Sequence, residues 1–410
     1  MDKSLIMANK IIVCQTGSRH RYLIPRVLEK NGMLGRLYTD TTAKSFIGRC
    51  ARMISSIGIG SPSVMRLCRR QPGIPNDKLY TTDMLFWRKR AARIRRGDSL
   101  CKRYLHYTGF VNKCISWGTG DADCVYNMYI ENYDFLVYAK SKGLKVVVDI
   151  YETPMTYKYL IEEIESNPEY GIFRKQIESY GYSHEVRIHY MEDLLKLADY
   201  YTVPSQFVIK SMNVFRNFDK NKVLFLPYGS SIVPDKYGYK PVKHRLIWVG
   251  NDPVRKGLLY CAKAADILKQ LYPDLDFRVI GVVNDELKKA PTFKNLNFIG
   301  VLGREQLMEE YRSAEAYVFP TLFEGFAGTV IEAASCGCPI ITTECAGTDM
   351  GEFPAIYIPQ KNTDSIVQSV RYLFEDSQRR DKLSMEVYEY STKLTPEIYE
   401  KRLVEYFKEI

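Results

Sequence analysis

Three observations predict an α/β protein built as two Rossmann-like domains facing each other across a cleft. Short apolar runs rich in β-branched residues alternate with stretches of helical periodicity, the signature of a parallel, doubly wound sheet. The alternation starts again near residue 245, after the Pro/Gly-rich stretch YGSSIVPDKYGYKP. A chain of 410 residues also exceeds what one ordinary core accommodates. Composition agrees, since 46% hydrophobic and 26% charged residues exclude a disordered chain or a disulfide miniprotein.

In the first half, 10–14 (KIIVC) reads as a buried strand, followed by the polar turn QTGSRHR and a helix over 22–30 that stops at Gly32. Further strands are expected at 124–128, 145–150, 200–203 and 223–227, with a helix over 191–199. In the second half, 245–249 (RLIWV) leads through the turn GNDPVRKG into a helix with Leu258, Ala262, Ala265 and Leu268 on one face. Strands follow at 277–280, 296–299, 316–319 and 339–342, and an amphipathic helix over 396–410 closes the chain. The expected division is a first domain over 1–228, a linker over 229–242, a second domain over 243–390, and a terminal helix, 391–410, returning to the first domain. In such folds ligands sit beyond the carboxyl ends of the strands.

Charge is unevenly placed. Residues 44–113 carry sixteen Lys/Arg against Asp77, Asp83 and Asp98, which is +13 of a total of +10, so the rest of the chain is slightly acidic. No acidic residue occurs between Thr41 and Asn76, where Phe46, Ile47, Cys50, Met53, Ile54 and Ile57 recur at helical spacing beside Lys44, Arg49 and Arg52. That pattern fits a helix lying in a membrane interface, and it equally fits a basic helix whose apolar face is ordinary core. Farther on, Phe86 and Trp87 precede Arg88, Lys89, Arg90, Arg93, Arg95 and Arg96, a layout shared by membrane clamps and nucleic-acid stripes. An anionic membrane surface is the expected partner, with no nucleic acid. No apolar run reaches the ~20 residues of a membrane span, and the start MDKSLIMANKIIVCQ lacks a secretion-signal layout. The expectation is a cytoplasmic chain, peripheral on the inner face of the membrane. Ten dispersed cysteines without a CxxC pair, and five histidines without HExxH, give no zinc, disulfide or metal-hydrolase expectation.

The most informative stretch is 320–337, PTLFEGFAGTVIEAASCG. Glu324 precedes a helix and Glu332 lies eight residues on, in its first turn, so both carboxylates can face the crevice around Gly325, Phe326, Ala327, Gly328 and Thr329. Backbone N–H groups at a helix N-terminus suit phosphate oxygens, and carboxylates accept hydroxyl protons from ribose or sugar. The alternative is that Thr329 to Glu332 is a capping box. Arg255 and Lys256, at another strand-to-helix turn of the same domain, supply the positive charge that a departing diphosphate requires.

At these residues the sequence resembles the glycosyltransferase group 1 family, or family 4, whose members are retaining nucleotide-sugar transferases of the two-Rossmann GT-B fold. The resemblance spans nearly the whole chain, through EGFAGTVIEAASCGCPIITTE, WVGNDPVRKGL, MEDLLKLADYYTVPSQF, FLPYGSSI and FIGVLGREQLMEEYRSAEAYVFP. It implies that Glu324 contacts the transferred sugar and Glu332 the ribose. Lys256, aided by Arg255, would neutralise the diphosphate, and the backbone of Phe326 to Thr329 would cradle phosphate. Gly250 and Asn251 would belong to the donor turn, and Gly300-Val301 would border the base. Gly17 would let the first-domain loop approach the donor and bring Arg19 and His20 near the reacting centre, with Asp149 and Tyr151 also on the acceptor side. The resemblance implies transfer without a metal or a separate cofactor.

Three departures stand out. Asn251 replaces an arginine usual in the family, Ala327 replaces a loop glycine, and Tyr151 stands where many members have histidine. Asp149 reads equally as a strand-end carboxylate bonding local amides, and Ser18 as a cap of the following helix. The expected activity is hexosyl transfer from a UDP- or GDP-sugar to a saccharide or lipid-linked acceptor, as in polysaccharide or glycolipid synthesis. The rival readings are a nucleotide-sugar 2-epimerase on the same fold and a non-catalytic membrane adaptor.

Overall fold

A computed structural model describes residues 9–58, 61–83, 101–128, 132–229, 237–348 and 352–410, with the backbone alone for 101–108. The basic cluster 86–96 and part of the linker, 230–236, lie outside the described residues.

Strands β1 (Ile11–Cys14), β2 (Leu34–Thr39), β3 (Leu79–Thr81), β4 (Cys124–Asn127), β5 (Lys145–Asp149), β6 (Tyr200–Val203) and β7 (Val223–Phe225) form one parallel sheet in the order β3-β2-β1-β4-β5-β6-β7. Strands β8 (Arg245–Val249), β9 (Asp276–Ile280), β10 (Asn297–Gly300), β11 (Ala316–Phe319), β12 (Ile340–Thr342) and β13 (Ile356–Tyr357) form the second, ordered β10-β9-β8-β11-β12-β13. Helices cover both faces, so β1, β4 and β11 are buried along their whole length, as parallel strands require. The strand order reverses between β1 and β4 and between β8 and β11, which places a crevice at the carboxyl ends of those pairs.

Three strands lack the apolar run that marks the others. In β2, LGRLYT, Arg36 is accommodated because its guanidinium donates to the Trp117 carbonyl at 2.7 Å and to the Tyr38 hydroxyl at 3.2 Å. Strands β3 and β13 lie at sheet edges, where one neighbour and partial burial suffice. The helix expected over 191–199 is the end of a 21-residue helix, Ile177–Leu197.

The helix Pro396–Glu409 packs into the first domain through Tyr399, Leu403, Val404 and Phe407, against Ile11, Val13 and Tyr126. The reverse exchange is less expected. Leu160, Ile164 and Tyr170, which precede β6 in the chain, belong to the core of the second sheet, with Trp248, Leu258 and Leu259. The Tyr170 hydroxyl donates to the Pro253 carbonyl at 2.9 Å and accepts from the Leu259 N–H at 3.2 Å. Glu163, wholly buried, accepts from the Tyr260 hydroxyl at 2.8 Å and pairs with Lys361 at 2.7 Å. The helix Thr156–Ser166 and the turn Pro168–Gln176 thus strap the first domain to the second.

Candidate functional site

The loops after β8 and β11 meet at the switch point of the second sheet. After Val249 the chain turns through Gly250, whose close approach is enforced: a Cβ there would lie 2.4 Å from the Lys256 side chain. Gly257, at φ +68°, lets the turn enter the helix Leu258–Leu271, and a Cβ there would meet the Pro320 carbonyl at 2.1 Å. The Leu322 N–H donates to the Arg255 carbonyl at 2.9 Å, and the Trp248 indole to the Lys256 carbonyl at 3.0 Å. These bonds aim Arg255 and Lys256 at the loop after β11.

There they converge on Glu324. Lys256 Nζ stands 3.0 Å from Oε1 and Arg255 bonds Oε2, while Arg255 Nε also reaches Asp252 at 3.3 Å. Burial by itself would raise the Glu324 carboxyl; Lys256 and then Arg255 outweigh it and hold the group below the usual carboxylate range. The site therefore keeps one buried carboxylate ionised between two cations, and Lys256 lies 4.6 Å from the centre of the Phe319 ring.

At Gly325 the loop after β11 runs close against the first domain. A Cβ on it would fall 1.8 Å from the Tyr151 carbonyl, so only glycine admits the loop that follows β5. The helix after the loop is Gly328–Ser335, with Ala327 as N-cap and no side-chain cap bond. The capping-box alternative for Thr329 and Glu332 is therefore corrected. Thr329 lies inside the helix and accepts from the Tyr317 hydroxyl at 2.9 Å, and Glu332 is the fifth residue of the helix. Ala327 adopts φ −78°, which needs no glycine; its N–H donates to the Ala346 carbonyl at 2.9 Å and its methyl is buried. Beside Gly328 there is open space. Asn251 uses its side chain locally, accepting from the Val282 N–H at 2.9 Å. Val301, after Gly300, is exposed at the end of β10.

On the first-domain side, Gly17 adopts φ +73° and donates its N–H to Asp40 at 3.0 Å. Ser18 makes no cap bond: the helix begins at Leu23, behind three consecutive left-handed residues, His20 (φ +46°), Arg21 (φ +51°) and Tyr22 (φ +60°). Such backbone is strained for residues with a Cβ and is held here by the packing around it. The His20 ring lies 4.3 Å from Tyr228, itself 5.7 Å from Phe326 of the second domain. Loss of water around the ring within the cleft, and then the charge of Arg19, lower the His20 pKa. Arg19 stacks 3.9 Å over Tyr151 and donates to its hydroxyl at 3.0 Å.

Asp149 ends β5 and lines a small pocket with Tyr151, Glu152 and Arg187. It is buried, accepts from the Thr202 hydroxyl at 2.9 Å, and burial pushes its carboxyl up to about 6, against the opposing effects of that bond, Arg19 and Tyr126. A cavity of about 450 Å³ joins these walls, lined by His20, Tyr151, Arg255, Glu324 and Phe326 among others. The sequence reading did not include Glu152, Tyr157, Tyr180 and Asp252, which also line it. Signals existed for Asp252, in the same turn as Arg255, and for Glu152, in the loop beside Tyr151; Tyr157 and Tyr180 come from helices whose neighbours are distant in sequence.

Residues 243–376 match the family model described as glycosyl transferases group 1. A curated relative, the D-inositol 3-phosphate glycosyltransferase of Paenarthrobacter aurescens (strain TC1), is 28% identical over 122 residues, 27% of this chain and 29% of that protein. The match thus spans under a third of the relative's length. Over the whole chain the fold is that of sucrose-phosphate synthase from Thermosynechococcus elongatus, with a TM-score of 0.66 at 14% identity and 98% of both chains covered. Anabaena HepE, solved in complex with UDP and glucose, gives a TM-score of 0.62 at 10% identity, covering 98% of this chain and 100% of that one. The two facing parallel sheets are the GT-B architecture expected from the sequence.

Proposed function

We propose that this chain, a member of the group 1 glycosyltransferases through residues 243–376, is a retaining transferase that moves a hexosyl group from a UDP- or GDP-sugar to a saccharide or lipid-linked acceptor. The observation that carries the reading is the convergence of Arg255, Lys256 and Glu324 at the β8/β11 switch point, beside the N-terminus of Gly328–Ser335. In this reading the donor's diphosphate lies across Lys256 and Arg255, with the first N–H groups of that helix toward its oxygens. Glu332 accepts from the ribose hydroxyls and Glu324 from the transferred sugar. As the bond from the anomeric carbon to the diphosphate oxygen breaks, negative charge grows on that oxygen, and the paired cations stabilise it where water is excluded by the first-domain loop. The acceptor hydroxyl then bonds the same face of the anomeric carbon, and its proton passes to the departing diphosphate oxygen on that face.

A membrane-surface setting is supported by the helix Phe46–Ser56. Its large apolar residues Phe46, Met53 and Ile54, with Ile57 just beyond it, face solvent, while the small Gly48 and Ala51 face the protein. Those outward side chains are not ordinary core, and Arg49 and Arg52 flank them. This suits the interface of an anionic bilayer. Among the described residues no helix is long and apolar enough to cross a membrane.

The test is turnover. With UDP- and GDP-sugars and a panel of glycan and polyprenyl-linked acceptors, the reading expects nucleoside diphosphate release that depends on acceptor, and a product whose anomeric configuration, read by NMR, matches the donor. Release of free 2-epimerised sugar without acceptor would favour the epimerase, and no consumption of any donor would refute transfer.

A further inference from the structure

We propose that the tyrosine wall of the cleft, Tyr157 and Tyr180 with Glu152 and Asp252 at its rim, is a subsite for a neutral pyranose ring of the acceptor. The proposal rests on the donor site described above and names the class of acceptor group that faces it. Tyr157, from the helix Thr156–Ser166, and Tyr180, from Ile177–Leu197, have ring centroids 5.5 Å apart and inclined by 32°, which gives a stepped aromatic surface in the same cavity as Arg255 and Glu324. Arg187 fixes one end of it: its guanidinium lies 4.9 Å from the centre of the Tyr157 ring and pairs with Glu152 at 2.6 Å.

A sugar ring presents a face of C–H groups and a rim of hydroxyls. The aromatic faces cover the first, and the carboxylates accept from the second. Glu152 receives Arg187 on one oxygen and Asp252 receives Arg255, so each retains lone pairs for hydroxyl donors.

Other occupants fit less well. At the tyrosine wall itself a phosphate or carboxylate would meet Glu152 and Asp252, and the cation there, Arg187, is already paired with Glu152. An acyl chain would find only one aliphatic side chain, Leu160, among the lining residues. A cavity of about 450 Å³ has the size of ordinary small-molecule sites and holds a ring beside the donor sugar.

The strap strengthens the case. Tyr157 shares its helix with Leu160 and Ile164, which are embedded in the second domain's core, and Tyr170 bonds Pro253 two residues before Arg255. The tyrosine wall is therefore anchored to the element that carries Arg255. A ring resting on it keeps its position relative to the donor whether or not the rest of the first domain moves.

The experiment is saturation-transfer NMR on the full chain with the methyl α-glycosides of glucose, galactose, mannose and N-acetylglucosamine. Each is measured with and without saturating UDP or GDP, on the wild type, Tyr157→Leu, Tyr180→Leu and Tyr157→Phe. Thermal stabilisation by the nucleotide is recorded in parallel. The expected result is saturation of ring C–H protons of at least one glycoside in the wild type, at least tenfold weaker binding in each leucine variant, and near-wild-type binding in Tyr157→Phe. Nucleotide stabilisation should be unchanged in all variants. A wild type that binds nucleotide and no glycoside overturns the proposal, as does glycoside binding that survives both leucine substitutions. Failure of every nucleotide to stabilise the wild type refutes the donor site instead, and the glycoside comparison without nucleotide still decides the subsite.

Discussion

Replacing Glu324 by glutamine keeps the volume and removes the charge between Arg255 and Lys256. At 3.0 Å from Lys256 Nζ, the Coulomb attraction is roughly 5 kcal/mol at an effective dielectric of ~20. Desolvation offsets much of this in the intact pair, but removing one member of a buried pair costs ~3–5 kcal/mol because the partner charge stays behind. Arg255 keeps Asp252 at 3.3 Å, so the lower figure applies, and Glu324→Gln is expected to destabilise the nucleotide-free protein by ~3 kcal/mol in urea at pH 7.5. Bound UDP should reverse the sign of the effect on binding. Its diphosphate takes over the cations that glutamine leaves unpaired, so UDP should bind the variant about tenfold tighter, ~1.4 kcal/mol, while sugar transfer falls. The pH dependence follows the lowered carboxyl. Its contribution is complete above the ordinary glutamate value of 4.5, declines below it, and is gone once pH has fallen through the lower folded value, where variant and wild type converge. Unchanged stability without nucleotide, or weaker UDP binding in the variant, would refute the reasoning.

Two further outcomes follow from the geometry. Phe46→Ser combined with Ile57→Ser should abolish co-sedimentation with vesicles containing phosphatidylglycerol while leaving the melting temperature within a degree or two, because both side chains already face water; equal binding by the variant, or binding to neutral vesicles alone, would contradict the interfacial role. Asp149→Asn should remove a pH dependence of stability. A carboxyl raised from 3.8 to about 6 contributes fully below 3.8 and loses its contribution as pH rises through about 6, so the asparagine variant should gain about 3 kcal/mol on the wild type between pH 3.5 and 7.5 in urea titrations.

Much of the fold is legible locally. KIIVC, KVVVD, RLIWV and AYVF are continuous apolar runs because parallel strands are buried on both faces, and those strands lie where the sequence puts them. Strand β2 is hidden because Arg36 solves its burial through the Trp117 carbonyl, a contact 81 residues away. The two turns of the candidate site are visible for a different reason: each combines a glycine required by a close approach with a charge, as at Gly257 beside Lys256 and Gly325 beside Glu324. Periodicity finds the apolar stripe on Phe46–Ser56, but the orientation of that stripe depends on the partner helices, and only the structure turns it outward. The strap is illegible for the same reason. Leu160, Ile164 and Tyr170 look like any amphipathic pattern of the first domain, and nothing in their own spacing says that the second sheet is what they cover.

The central claim is a nucleotide-sugar site built by Arg255, Lys256, Glu324 and Glu332, and nucleotide titration tests it most directly. Thermal unfolding of the wild type, Lys256→Ala and Glu332→Ala with UDP, GDP and ADP should show base-selective stabilisation of the wild type, ~2.7 kcal/mol at a hundred times the dissociation constant, lost in both variants. A folded wild type that no nucleotide stabilises, or variants stabilised as well as the wild type, would contradict it.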